Sequence, residues 1–130
     1  MKLMVCFDGS SSSKEAVRLA TEHAKAFGAS IDIVTSMVKG TESERPDIEK
    51  AELDLEYEKA IVTGAGVPCE SHLLIRGLSA GEDLIRFAEE QKIDEIIIGI
   101  KRRSKVEKIV FGSTAQYVIL KAVCPVVTVK

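Results

Sequence analysis

Short apolar runs alternate with longer amphipathic stretches along the whole chain. Residues 3–7 (LMVCF) are continuously apolar, the pattern of a strand covered on both faces, as in a parallel sheet held between helical layers. The run stops at Asp8-Gly9-Ser10, and the serines beyond it are turn and cap residues. Ser12 with Glu15 has the spacing of a capping box. Ala16, Val17, Ala20, Ala24 and Phe27 then recur at helical spacing, and Gly28 closes the helix. A second strand is predicted over Ile31, Ile33 and Val34, running on through residues 35–38. Residues 39–45 are polar with no apolar period and read as a mobile surface loop.

Pro46 suits the first turn of a second helix, whose inner face would be Ile48, Ala51, Leu55, Ala60 and Ile61, ending at Gly64 and Gly66. Val67-Pro68 opens a third strand that takes in residues 73–75 and stops at Gly77. Ser79 and Glu82 form another capping box, before a helix with Ala80, Leu84, Ile85, Phe87 and Ala88 inward. Residues 93–98 give a fourth strand, residues 113–123 a last helix broken by Cys124-Pro125, and residues 126–129 a last strand. The order β-α-β-α-β-α-β-α-β predicts an α/β fold: one doubly wound, Rossmann-like domain over residues 1–130, with a five-stranded parallel sheet and helices on both faces. In such sheets ligands sit outside the carboxyl ends of the strands, where strand order reverses. The ends of the first and fourth strands, Asp8 and Gly99, carry the most unusual residues and are expected to meet in one cleft.

Composition narrows the partners. A chain of 130 residues with a net charge of −2 has no global attraction for nucleic acid or anionic lipid, so neither is an expected partner. Cys6, Cys69 and Cys124 form no Cys-x-x-Cys pair and read as reduced, small hydrophobes. The amino-terminal apolar run is too short for a signal peptide and no run reaches membrane-spanning length, so a cytoplasmic location is expected.

Positive charge is concentrated in residues 99–114, GIKRRSKVEKIVFGST, read as a loop between the fourth strand and the last helix. Strand, loop and helix start together aim backbone N–H groups and a helix dipole at an anion. The phosphate loop G-x-x-x-x-G-K-[ST] is absent, as is G-x-G-x-x-G after the first strand. His23, expected to be solvated, and His72 have no metal-ligand spacing, and the pairs Glu82-Asp83 and Glu89-Glu90 read as solvated helix faces. No hydrolytic site is visible.

Two motifs give the chain a specific resemblance. Asp8, Gly9, Ser10, Ser13 and Ala16 match the D-G-S-x-x-S-x-x-A pattern of the universal stress protein family, which the chain resembles over essentially its whole length. Gly99, Gly112 and Ser113 keep the spacing of the G-x2-G-x9-G-[ST] motif in the nucleotide-binding branch of that family. The motif's second glycine is replaced by Arg102.

The resemblance implies an adenine nucleotide, ATP or a relative of it with Mg²⁺ bridging the phosphates, as ligand rather than redox cofactor. Asp8 would accept from ribose hydroxyls or the adenine amino group; it would equally serve as an Asx turn or helix N-cap. Met37 matches the position against adenine, although a lone methionine is commonly core. Gly99 would admit the ribose or phosphates, or simply turn the chain. Gly112, Ser113 and Thr114 would present N–H and hydroxyl groups to phosphate, or cap the helix through Ser113 or Thr114. At Arg102, charged side chains with Lys101, Arg103, Lys105 and Lys108 would replace backbone contacts, or else the scaffold has lost its nucleotide. The implied function is a nucleotide-linked regulatory or interaction module in the stress response; the alternative is a nucleotide-free, dimeric stress-response protein. Under either, a homodimer through the carboxyl-terminal strand is expected. Strong catalysis is not, at most slow ATP hydrolysis. An adenine-nucleotide α-hydrolase would need S-G-G-x-D-S after the first strand, of which Asp8–Ser12 is a faint echo.

Overall fold

A computed structural model describes the backbone of residues 1–103 and 108–130, and their side chains except at 101–103 and 108–110. Strands β1 (Lys2–Cys6), β2 (Ser30–Ser36), β3 (Cys69–Leu74) and β4 (Glu95–Gly99) alternate with helices α1 (Ser11–Phe27), α2 (Arg45–Gly64) and α3 (Ala80–Glu90). Two three-residue strands follow, β5 (Lys101–Arg103) and β6 (Lys108–Val110), then α4 (Ser113–Lys121) and β7 (Val126–Val129). Five parallel strands form one sheet in the order β3-β2-β1-β4-β7, the predicted doubly wound arrangement. Strand order reverses between β1 and β4, and their ends meet there as expected.

The continuous apolar runs have the cause inferred for them. Leu3, Val5 and Phe7 of the first run, with Ile97 of β4, pack toward α1 and α2. Met4 and Cys6, with Ile96 and Ile98, pack toward α3 and α4. Each fully buried aliphatic side chain contributes roughly 1.5–3 kcal/mol relative to exposure, and both faces of the central strands are filled this way.

Several local expectations are corrected. The cap of α1 is Ser10, whose hydroxyl accepts from the Ser13 N–H at 3.2 Å, while Glu15 pairs with Arg18 at 3.0 Å instead of closing a box with Ser12. Phe27 is exposed beside the left-handed Gly28, because the helix has already turned away from the core. In α2 the inner residues are Leu55, Glu58 and Val62; Ile61 and Ala60 face solvent. Residues 39–45 include a 3-10 turn at Glu42–Glu44, and Arg45 already belongs to α2. Strand β2 ends before Met37, β3 before the exposed Ile75, and β4 begins only at Glu95. The final helix ends at Lys121, leaving Val123 exposed. Residues 101–103 and 108–110, read as loop, pair antiparallel, with Arg102 opposite Ile109.

Both histidines turn out to be bonded to carboxylates. His23 is half-buried, with Nδ1 3.2 Å from Glu95 Oε1, and so is not simply solvated. His72 Nε2 lies 2.8 Å from Asp32 Oδ1, and its ring centroid is 4.8 Å from that of Phe87, the two rings tilted by 54°.

Candidate functional site

At the point where strand order reverses, a cleft of about 290 Å³ opens outside the carboxyl ends of β1, β2 and β4. It is lined by Asp8 from the turn after β1, Gly99 from β4, and Gly112, Ser113 and Thr114 from the start of α4. Apolar walls come from Val34, Leu84, Ile98 and Ile100. Five of the residues singled out in the sequence are thus brought together. Met37 lines an adjoining pocket of about 280 Å³ that shares Phe7, Asp8 and Ser36 with the first. The backbone of Arg102 belongs to β5; the side chains of Lys101, Arg102, Arg103 and Lys108, and Lys105 altogether, lie outside the described residues.

The turn after β1 is fixed locally. Asp8 Oδ1 accepts the Ser10 N–H at 2.9 Å, an Asx turn, and Gly9 takes φ +81°, which a side-chain-bearing residue adopts with strain. The helix cap passes to Ser10, so Asp8 is not the N-cap. Thr35 Oγ1 donates to Phe7 O at 2.7 Å and joins β2 to the turn.

The other side is a helix start. The N-cap of α4 is Gly112 with an extended backbone, in place of the expected Ser113 or Thr114. The first amide bonded within the helix is Gln116 N, to Gly112 O at 3.0 Å. The amides of residues 113–115 therefore point out of the helix end, with the positive end of the helix dipole behind them. A Cβ at Gly112 would meet nothing within 4 Å among the described residues. Gly99 is different: a Cβ there would lie 2.5 Å from the carbonyl carbon of Ser12. Close packing of the first turn of α1 on β4 requires that glycine.

Sequence reasoning missed three contributors. Gly81 lets Tyr117 pack against α3, where a Cβ would come within 2.8 Å of Tyr117 Cβ; that contact holds α4 in place. Ser36 lines both pockets, and its hydroxyl donates to Asp83 Oδ2 at 2.8 Å. Asp83, expected on a solvated face, is fully buried and also takes the Arg76 Nε–H on Oδ1 at 2.5 Å. The i, i+3, i+4 spacing of Asp83 with the apolar residues of α3 was the available signal. Cys6 also lines the cleft; burial, with the nearby Asp8 charge adding to it, pushes its thiol up to about 12. It is no nucleophile at neutral pH. No helix among the described residues is long and apolar enough to cross a membrane.

Comparison with known proteins supplies relatives with this architecture. The profile of the universal stress protein family matches residues 1–130. A solved universal stress protein from Archaeoglobus fulgidus is 36% identical, with a TM-score of 0.90 over 100% of this chain and 98% of that one. A structure of the universal stress protein from Archaeoglobus fulgidus in complex with dAMP is 34% identical, with a TM-score of 0.85 over 100% of this chain and 98% of that one. A universal stress protein of Methanocaldococcus jannaschii is 31% identical over 149 aligned positions, covering 99% of this chain and 81% of the relative.

Proposed function

The chain belongs to the universal stress protein family, and from that premise we propose that its cleft binds an adenine nucleotide, ATP foremost, as a regulatory ligand. One observation carries the reading: the start of α4, which has no side-chain cap among the described residues, and the Asp8 turn face a single cleft. A phosphate at Gly112, Ser113 and Thr114 would be met by N–H groups, hydroxyls and the helix dipole. Asp8 would accept from the ribose or base while keeping its turn, since a carboxylate has lone pairs for both. Gly99 forms the floor, Met37 flanks the base from the adjoining pocket, and Arg102 brings charge to the phosphates. The dAMP complex of the 34% identical Archaeoglobus fulgidus protein supports the class of ligand.

Mg²⁺ in this scheme travels on the nucleotide. Among the described residues no group of three or more His, Cys, Asp or Glu side chains could hold a metal ion. An ion carried by the nucleotide would need few protein ligands. Nucleotide occupancy would then set the interactions of a cytoplasmic stress-response protein acting as one domain over residues 1–130. A homodimer through β7 is part of this reading: β7 is an edge strand, and Leu120 and Val123 beside it are exposed. Calorimetric titration of nucleotide-stripped protein with ATP, with and without Mg²⁺, tests the reading. Saturable binding below millimolar ATP is expected; no heat of binding up to millimolar ATP would reject it.

A further inference from the structure

The nucleotide reading leaves Ser36 and Asp83 without a task, yet they form a fully specified polar contact in the cleft wall. Asp83 is 0% exposed, and both of its carboxylate oxygens have donors, Arg76 Nε–H on Oδ1 at 2.5 Å and the Ser36 hydroxyl on Oδ2 at 2.8 Å. Arg76 is itself fixed, by Asp83 O at 3.2 Å and Glu90 Oε1 at 2.8 Å. If the Ser36 proton turned away, Oδ2 would lose its donor inside the protein, which is costly for a buried carboxylate.

A serine hydroxyl has one proton and two acceptor positions. With the proton committed to Asp83, Ser36 offers the cleft lone pairs only. It stands at the end of β2, two strands from β4 across the sheet, or roughly 10 Å from the strand that leads to the α4 amides. Near it the walls are the apolar Val34 and Leu84, suited to a flat base. We propose that Ser36, fixed as an acceptor by Asp83, recognises an exocyclic amino group on the base of the bound nucleotide and rejects a carbonyl oxygen at the same place. Ser36 is then a specificity residue and Asp83 a positioning residue. The assignment rests on the adenine-nucleotide reading and adds the base selectivity that reading lacks.

AMP and IMP separate the two ideas, because IMP carries a carbonyl oxygen where AMP carries its amino group. Calorimetric affinities of the full chain for each are expected to favour AMP by roughly tenfold or more. Ser36→Ala should bring the ratio near one, mainly by weakening AMP. Ser36→Thr, which keeps the hydroxyl, should retain the preference. In Asp83→Asn the Arg76 contact holds the amide oxygen at the Oδ1 position and places the NH₂ toward Ser36. The Ser36 proton is then released to the cleft, and the ratio should move toward IMP. A wild-type ratio near one overturns the assignment without any variant, and a Ser36→Ala ratio equal to wild type overturns it as well. An unchanged ratio in Asp83→Asn overturns the positioning role. If neither nucleotide binds the wild type, the nucleotide reading itself falls and takes this assignment with it; binding without discrimination sinks the assignment alone.

Discussion

Two glycines bound the basic stretch, and they answer different requirements. Gly99 ends β4 beneath the first turn of α1, where an added Cβ would strike the Ser12 carbonyl carbon at 2.5 Å. Gly112 starts α4, where an added Cβ would meet nothing within 4 Å among the described residues. Both belong to one sequence motif, yet packing within the protein accounts for Gly99 alone. The backbone of Gly112 has φ −64° and ψ 163°, open to any residue, so conformation does not account for it either. What its missing side chain does is leave the helix end uncovered, which matters to a ligand that approaches the amides. One motif spacing thus joins a folding requirement to a binding requirement, and substitutions can pull the two apart.

The largest effect is expected at Gly99. Gly99→Val should lower the free energy of unfolding by about 3 kcal/mol, the cost of overpacking a rigid contact, and weaken nucleotide binding along with it. Urea denaturation checks it; a loss below about 1 kcal/mol would mean that α1 can move aside. Gly112→Val should do the reverse. Stability should change by no more than about 1 kcal/mol, while ATP affinity falls at least roughly tenfold, read by denaturation and calorimetry on the same preparation. Equal losses in both measurements would erase the distinction between the glycines.

Between them, Arg102→Ala should weaken ATP by roughly threefold to tenfold and flatten the salt dependence of binding, because in the proposed function Arg102 acts through its charge. Unchanged affinity across a salt series would remove Arg102 from the site. The smallest effect at neutral pH concerns the thiols. Burial raises Cys6 to about 12 and Cys69 to about 11 from an ordinary 9.0. Both protonated thiols favour the folded state, so their stabilisation is complete below pH ~9 and is lost as pH climbs toward these raised values. At pH 8, iodoacetamide should therefore label the half-buried Cys124 well before either of the others. Early modification of Cys6 would show that the cleft floor opens.

How much of this was legible in the sequence follows from the range of the interactions. The parallel sheet was legible because filling both of its faces leaves unbroken apolar runs such as residues 3–7 and 96–98. The left-handed end of α1 was legible because Gly28 is a local signal. The Asp8 turn was legible for the same reason, spanning only residues 8 to 10. Contacts between distant segments left little trace. The spacing of Asp83 could mark it as inward-facing, but its partners Ser36 and Arg76 are set only by the fold, and Gly81 has no meaning without Tyr117. The β5–β6 ribbon was missed because three-residue strands are shorter than any window in which alternation is visible. Gly99 could be read as a ligand contact or as a turn residue, and only the approach of Ser12 shows that packing of α1 requires it.

The most direct test is an amide-resolved NMR titration of the nucleotide-stripped chain with ATP and Mg²⁺. The largest shifts should fall on the amides of residues 113–115 at the start of α4 and of residues 8–10 after β1, saturating together with a single affinity. Saturable shifts confined to other surfaces, or no shifts at millimolar ATP, would contradict a nucleotide site between Asp8 and Gly112.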